Sequence, residues 1–311
     1  MTTSLPEAVR LLVEGAAGRV RSVTPVGGGD VSRAARVETA AGPVFAKWGA
    51  GAAGQTYAAE AEGLAALARA AGPDLVVPAP LATAAPEGDA LGALVLPWVE
   101  PGRPTAADWR RFGAALAELH RAPAPGDGRY GWPTDNWIGS KPQRNGWHDA
   151  WPAFFGDQRL RAQAETVRQR ASADASQRGA WDPAWDPMLD RLVARLPDLL
   201  PASPPPSLLH GDLWGGNALA TSSGGSSAPS PGPFALIDPA VSVGHREADL
   251  AMTELFGGFD APFYDGYRQA WPLEPGYPER REVYNLFHLV NHLTHGPAYR
   301  RPVQATLSRF A

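Results

Sequence analysis

The sequence predicts an α+β fold in two lobes, a small strand-rich N-terminal lobe and a larger helical C-terminal one, and three observations carry that expectation. The chain has 311 residues, about twice the usual length of a single domain. Its first third holds short apolar runs separated by glycine turns, whereas most later segments repeat their apolar residues at helical spacing. Between the two regions a continuous apolar run, Leu91 to Val99, stops at Glu100-Pro101-Gly102, a sequence that punctuates rather than continues a strand. The expected lobes are therefore 1–99 and 100–311.

Residues 5–20 read as a helix, followed by a strand at Val23 to Val26, the turn Gly27-Gly28-Gly29-Asp30, and a second strand at Ala34 to Val37. A third strand, Val44 to Trp48, carries Lys47. Only two of the 28 basic residues are lysine, Lys47 and Lys141, so each retained lysine suggests a role that arginine does not fill. From Gln55 to Ala71 the alanine-rich composition favours helix, with Tyr57, Leu64 and Leu67 on one stripe and Glu60 inside it. A carboxylate on the packed face of a helix calls for a cation, and Lys47 on the preceding strand is the one expected to meet it. Beyond the boundary, Trp109, Phe112, Leu116 and Leu119 mark a helix with Thr105 as its N-cap. Two short strands, Ala218 to Ala220 and Phe234 to Ile237, flank the low-complexity stretch Thr221 to Pro233 and read as a long-tipped hairpin.

Composition removes several function classes. The net charge is −4 with no basic block, so nucleic acid is not an expected partner. Cysteine is absent, which removes disulfides, thiolate zinc sites and a Cys nucleophile. No apolar run reaches the length of about 18 residues that a membrane span needs, and the N-terminal residues do not read as a leader. A cytoplasmic protein without membrane association, monomeric by preference, is the expectation.

The chemistry is concentrated in Leu208-Leu209-His210-Gly211-Asp212-Leu213-Trp214-Gly215-Gly216-Asn217 and, across the hairpin, Leu236-Ile237-Asp238-Pro239. Phosphoryl transfer from ATP requires Mg2+ on the phosphates, oxygen ligands to hold it and a carboxylate facing the attacking hydroxyl. A kinase catalytic loop places its base and its metal-binding Asn five residues apart, the interval from Asp212 to Asn217. A glycine turn between strands, Lys on the third strand, Glu on the next helix, an apolar hinge, then Asp, Asn and Asp follow one another in kinase order. Taken singly, each element is an ordinary turn or cap. Together they predict a protein-kinase-like fold.

HGDLWGGN, IDPAVSVGHREADLAMTELFGGF (Ile237 to Phe259) and YNLFHLVNHLTHG (Tyr284 to Gly296) resemble the fructosamine kinase, or ketosamine 3-kinase, family, a branch of the aminoglycoside phosphotransferase and choline kinase superfamily. Tyr57 to Leu64, Tyr130-Gly131, Asp135 to Ser140, Gln143, Asn145, Trp151, Phe154-Phe155 and Arg159-Leu160 match the same pattern, so the resemblance spans nearly the whole chain. It implies an ATP- and Mg2+-dependent kinase acting on the 3-hydroxyl of a ketosamine, free or protein-bound. The resulting 3-phosphate eliminates and frees the amine, which amounts to deglycation, with a lean towards ribulosamines and erythrulosamines over fructosamines. An aminoglycoside or amino-alcohol phosphotransferase of the same fold is the alternative, and a non-catalytic nucleotide-binding scaffold a third reading.

The roles implied are residue-specific. Gly27, Gly28 and Gly29 allow close approach of a turn to the triphosphate, Lys47 reaches its α and β phosphates, and Glu60 holds Lys47. Leu96, Trp98 and Val99 border the adenine. Pro97 has no N–H, so a donor to the base must be Trp98 or Val99. Asp212 is the base, and Asn217 with Asp238 holds the metal. Trp214, Asn136 and Gly139 face the sugar, while His210 and Asp249 brace the loop. His288, Asn291, His292 and His295 lack the partners of a metal cluster and read as packing.

Overall fold

The computed structural model describes residues 4–27, 33–86, 90–222 and 232–311. Gly28, Gly29 and the tip of the stretch between Thr221 and Pro233 lie outside the described residues. The chain forms two compact units, one made of residues 1–118, 216–239 and 260–267 and the other of 119–215, 240–259 and 268–311.

The first unit is built on an antiparallel sheet of five strands. In chain order its elements are α1 (Glu7–Ala17), β1 (Val20–Val26), β2 (Arg33–Thr39), β3 (Gly42–Gly49), α2 (Gly51–Ala70), β4 (Ala82–Ala84) and β5 (Gly92–Pro97). The strand order is β1-β2-β3-β5-β4. Because successive strand residues point to opposite faces, Val44, Ala46 and Trp48 of β3 join Val9 and Val13 of α1 in one apolar cluster. Phe45 turns the other way, to the cluster of Tyr57 and Leu64 of α2 with Leu94 and Leu96 of β5. Lys47 alternates with Ala46 and Trp48 and so faces α2. Each fully buried Val or Leu in these clusters contributes roughly 1.5–3 kcal/mol.

Helix α3 (Ala106–Arg121) starts at a reciprocal cap. Asp108 N–H donates to Thr105 Oγ1 at 3.2 Å, and Thr105 N–H donates to Asp108 Oδ2 at 2.9 Å, a capping box with Asp in the acidic position. The hairpin Ala218–Ala220/Phe234–Leu236 belongs to this unit rather than to the chain segments around it. Val76 N–H donates to Phe234 O (2.9 Å) and Leu236 N–H to Val76 O (3.0 Å), and the Phe234 ring stacks on Phe112 of α3 at 4.4 Å. The units thus do not follow a single cut at residue 99: long-range pairing returns a late hairpin to the early sheet region.

Gly113 of α3 lies against the helix Ala261–Ala270, where a Cβ would come within 1.9 Å of Phe263 O. Overpacking of this kind costs typically about 1–3 kcal/mol. Gly113→Ala is therefore expected to lower the urea midpoint at unchanged m-value, and an unaltered midpoint would contradict this account of the crossing.

The second unit is mostly helical. Its core joins Tyr130, Trp151, Phe154, Phe155, Trp185 and Tyr284 with aliphatic residues of the surrounding helices. A π-helical turn, Phe155–Arg161, links Trp151–Phe154 to Ala162–Ala173. Glu247, fully buried, receives Arg280 Nε at 2.6 Å and Nη2 at 2.9 Å, the bidentate geometry that best offsets burial of a charge. The antiparallel strands Pro206–Leu209 and Ser242–His245 lead the chain into and out of the segments that hold the acidic residues of interest. No helix among the described residues is long and apolar enough to cross a membrane.

Candidate active site

In the first unit three charged side chains meet. Lys47 Nζ lies 2.5 Å from Glu60 Oε2 and 2.6 Å from Asp238 Oδ1. Strand alternation aims the lysine at α2, and the helical stripe aims Glu60 back at it. Burial disfavours the ammonium, but Glu60 and Asp238 outweigh it and hold the Lys47 pKa above its ordinary value. The sequence expectation brings Lys47 and Asp238 to the same triphosphate, Asp238 through the metal, and the direct ion pair between them goes beyond it. No local pattern links residues so far apart.

Asp238 has φ 51°, and among the described residues only Asp127 shares a positive φ without being glycine. Such a backbone is costly and persists where the surroundings impose it. Those surroundings are visible: Ile237 N–H donates to Asn217 O (3.1 Å), and Asn217 Nδ2 reaches Asp238 O at 3.5 Å. Asn217 and Asp238 are thereby tied together at the base of the hairpin. A carboxylate and an amide are oxygen donors of the kind Mg2+ accepts, and two such side chains are a usual protein share when phosphates complete the sphere. The donor set fits the ion.

The second unit holds the loop of Asp212. Asp249 accepts His210 N–H at 2.7 Å, Gly211 N–H at 2.8 Å and His120 Nε2 at 3.2 Å. Burial would raise the Asp249 pKa, yet the hydrogen bond and charge of His120, with His210 and Gly211, draw it below the usual carboxylate range. Gly211 has φ 82°, and a Cβ there would fall 2.0 Å from Ala240 O, so no other residue fits. His210 is fully buried and its Nδ1 accepts Asp212 N–H at 3.3 Å. The loop is closed by Trp214 N–H donating to Asp212 O at 3.1 Å. His120 of α3 escaped the sequence reading, because a histidine near a helix end carries no local sign of a partner 129 residues away.

Trp214 is 43% exposed, so its indole is not part of the core. Asn136 is corrected by the structure: its Nδ2 donates to Val241 O at 2.8 Å and its Oδ1 accepts Gln143 Nε2 at 2.8 Å, so the buried amide fastens its own hairpin instead of facing a sugar. Gly139, with φ 56°, forms the turn of that hairpin. Trp98 N–H already donates to Pro43 O at 3.3 Å, and its indole Nε1 donates to Glu100 at 2.8 Å. That engagement corrects the expectation of Trp98 as adenine donor and leaves the Val99 N–H. Leu96 is buried against α2. Arg159 and Asn145, also part of the family pattern, bond to each other at 2.9 Å and serve the scaffold. Asn291 Oδ1 accepts Gln163 Nε2 (2.9 Å) and His292 Nδ1 bonds to His288 O (2.8 Å), contacts of helix packing.

The fold, with its antiparallel sheet and helical remainder, is protein-kinase-like: an aminoglycoside phosphotransferase superposes with a TM-score of 0.61 at 16% identity over 97% of this chain and 96% of its own. The sequence of this chain matches the profile of the fructosamine kinase family over residues 7–310, and the chain belongs to that family. The protein is therefore an ATP-dependent kinase. A Synechocystis protein named probable ketoamine kinase is 39% identical over 256 residues, 82% of this chain and 78% of the relative. A rice protein named chloroplastic protein-ribulosamine 3-kinase is 32% identical over 306 residues, 96% of this chain and 82% of the relative. A Thermobifida fusca protein, provisionally named a fructosamine-3-kinase, has a crystal structure that matches with a TM-score of 0.80 at 32% identity, covering 98% of both chains.

Proposed function

We propose that the protein transfers the γ-phosphoryl group of ATP to the 3-hydroxyl of ketosamines, namely ribulosamine, erythrulosamine or fructosamine adducts of amines or protein lysines, and so initiates deglycation. The observation that carries this reading is the near full-length match to a relative named for ribulosamine 3-kinase activity. In the first unit, Lys47 binds the α and β phosphates from the position in which Glu60 and Asp238 hold it. Asn217 and Asp238 would hold Mg2+, which supplies charge neutralisation on the phosphates.

Asp212 orients the acceptor hydroxyl and takes its proton. Its loop is fixed through Asp249, so the carboxylate needs little reorganisation at the moment of reaction. In this reading Gly27 lies beside the triphosphate, Val99 N–H and Leu96 beside the adenine, and Trp214 beside the sugar. In solution the product 3-phosphate loses a proton from C1 and inorganic phosphate from C3, and water hydrolyses the resulting C1 imine, releasing the amine and a 3-deoxy-2-ketoaldehyde.

The test is ADP production by the purified protein with ATP, Mg2+ and a panel of ribulosamine, erythrulosamine and fructosamine adducts of one amine. Turnover of at least one is expected. Turnover of kanamycin-like aminoglycosides with none on the three ketosamines would overturn the reading.

A further inference from the structure

Lys141 is one of only two lysines in the chain and takes no part in the chemistry described so far. It is 1% exposed and pairs with Ile138 in the hairpin Asn136–Ile138/Lys141–Gln143. That hairpin is fastened on both sides. Gln143 Nε2 donates to Ala240 O at 3.0 Å and Asn136 to Val241 O at 2.8 Å, while Arg170 Nη2 donates to Ser140 O at 2.6 Å. Ala240 N–H in turn donates to His210 O at 2.8 Å. The hairpin of Lys141 and the loop of Asp212 therefore hang from the same short segment of chain.

What Lys141 lacks is a partner. Among the described residues its ammonium makes no hydrogen bond and no ion pair. The charges that act on it are Arg170, which repels it, Asp212, which attracts it, and His292. Burial and Arg170 push it down to about 8, with Asp212 opposing them. Arg170 bonds only to the oxygens of Ser140 and has no carboxylate of its own among the described residues. Asp212 is thus the one carboxylate whose charge favours the Lys141 ammonium, and in the proposed mechanism that carboxylate is occupied with the acceptor hydroxyl. A buried amine without a counter-ion is costly in isolation and is a common mark of a binding site.

We propose that Lys141 is a specificity-determining residue of the acceptor subsite, its ammonium receiving a carboxylate on the amine portion of the ketosamine. The inference rests on the ketosamine reading above. Acceptors built on amino acids gain a charge-assisted hydrogen bond, and polycationic acceptors meet a repulsive cation, so one residue both attracts and excludes. A role on the nucleotide phosphates is less favoured, because Lys47, Asn217 and Asp238 belong to the other compact unit whereas Lys141, Asp212 and Arg170 belong to this one.

The experiment compares two ribulosamines, the ε-amine adduct of Nα-acetyl-lysine and the adduct of N-acetylcadaverine, which is the same amine without the carboxylate. Each is assayed with wild type, K141M and K141R. Wild type is expected to show a KM about tenfold lower for the carboxylate-bearing adduct. K141M is expected to erase that ratio by raising the KM of the carboxylate adduct, and K141R to retain part of it. The ratio is taken within each variant, so a change in the active fraction does not move it, and methionine keeps the buried stem. Equal KM values in wild type, an equal change of both in K141M, or a fall in kcat on both adducts with KM kept would each overturn the proposal, the last by making Lys141 act through Asp212 or the phosphoryl group. Where wild type phosphorylates neither ribulosamine, the erythrulosamine and fructosamine adducts of the same two amines take their place, and failure on all three pairs is a distinct outcome that overturns the ketosamine reading and this inference with it.

Discussion

Asp212→Ala is expected to lower kcat by about 10²–10⁴-fold, the usual share of a positioned acid or base, while nucleotide affinity and thermal unfolding change little. That range corresponds to about 3–5 kcal/mol of transition-state stabilisation. The separation of effects follows from how the loop is built. Its shape is set by main-chain groups, with His210 N–H and Gly211 N–H on Asp249, Asp212 N–H on His210 Nδ1 and Trp214 N–H on Asp212 O. None of these bonds uses the Asp212 carboxylate. The side chain is also only half-buried, so its truncation leaves no large cavity. Asp212→Asn should lose a similar factor, because an amide preserves size and polarity but cannot take the proton. Initial rates with a ketosamine, nucleotide titration by calorimetry and a melting curve measure the three quantities. A rate within a few-fold of wild type would remove Asp212 from the role of base, and a parallel loss of nucleotide binding would show that it acts in the first unit's chemistry instead.

Several parts of this arrangement were readable before any coordinates, for reasons that are local. Glu60 declared itself by falling within the apolar stripe of α2, and strand alternation on β3 then fixed the side from which Lys47 meets it. The hairpin of Asn217 and Asp238 is legible because two short apolar runs flank a low-complexity stretch. What stayed hidden depends on pairings between distant segments. Val76 captures the hairpin for the first unit, and no periodicity in residues 70–80 announces it. A side-chain amide suits a polyol, which is the role the resemblance implies for Asn136, whereas Gln143 and Val241 O turn it inward. The rarity of lysine points at Lys47 and Lys141 alike, but what distinguishes their situations is that, among the described residues, Lys141 makes no ion pair whereas Lys47 makes two.

Asp249→Ala should have the largest combined effect on stability and rate of any single change to the loop. One buried carboxylate accepts three donors, His210 N–H, Gly211 N–H and His120 Nε2, and His210 and His120 are themselves fully buried or nearly so. Removing the acceptor leaves them unsatisfied, at about 1–3 kcal/mol for each buried donor that finds no water. A loss of about 3 kcal/mol or more follows, which for a chain of this size is roughly 2–4 °C in Tm per kcal/mol. The rate should fall as well, because the loop that aims Asp212 loses its anchor, and the fall should lie in kcat more than in the KM for ATP, whose proposed ligands belong to the other unit. Asp249→Asn separates the two contributions: its single oxygen can keep one main-chain donor while its NH2 group opposes another, so stability should be recovered in part and rate less so. His120→Ala, which removes one donor and leaves both main-chain bonds in place, should cost the least of the three. A wild-type melting temperature and kcat for Asp249→Ala would show that Gly211 and the segment around Ala240 hold the loop without it.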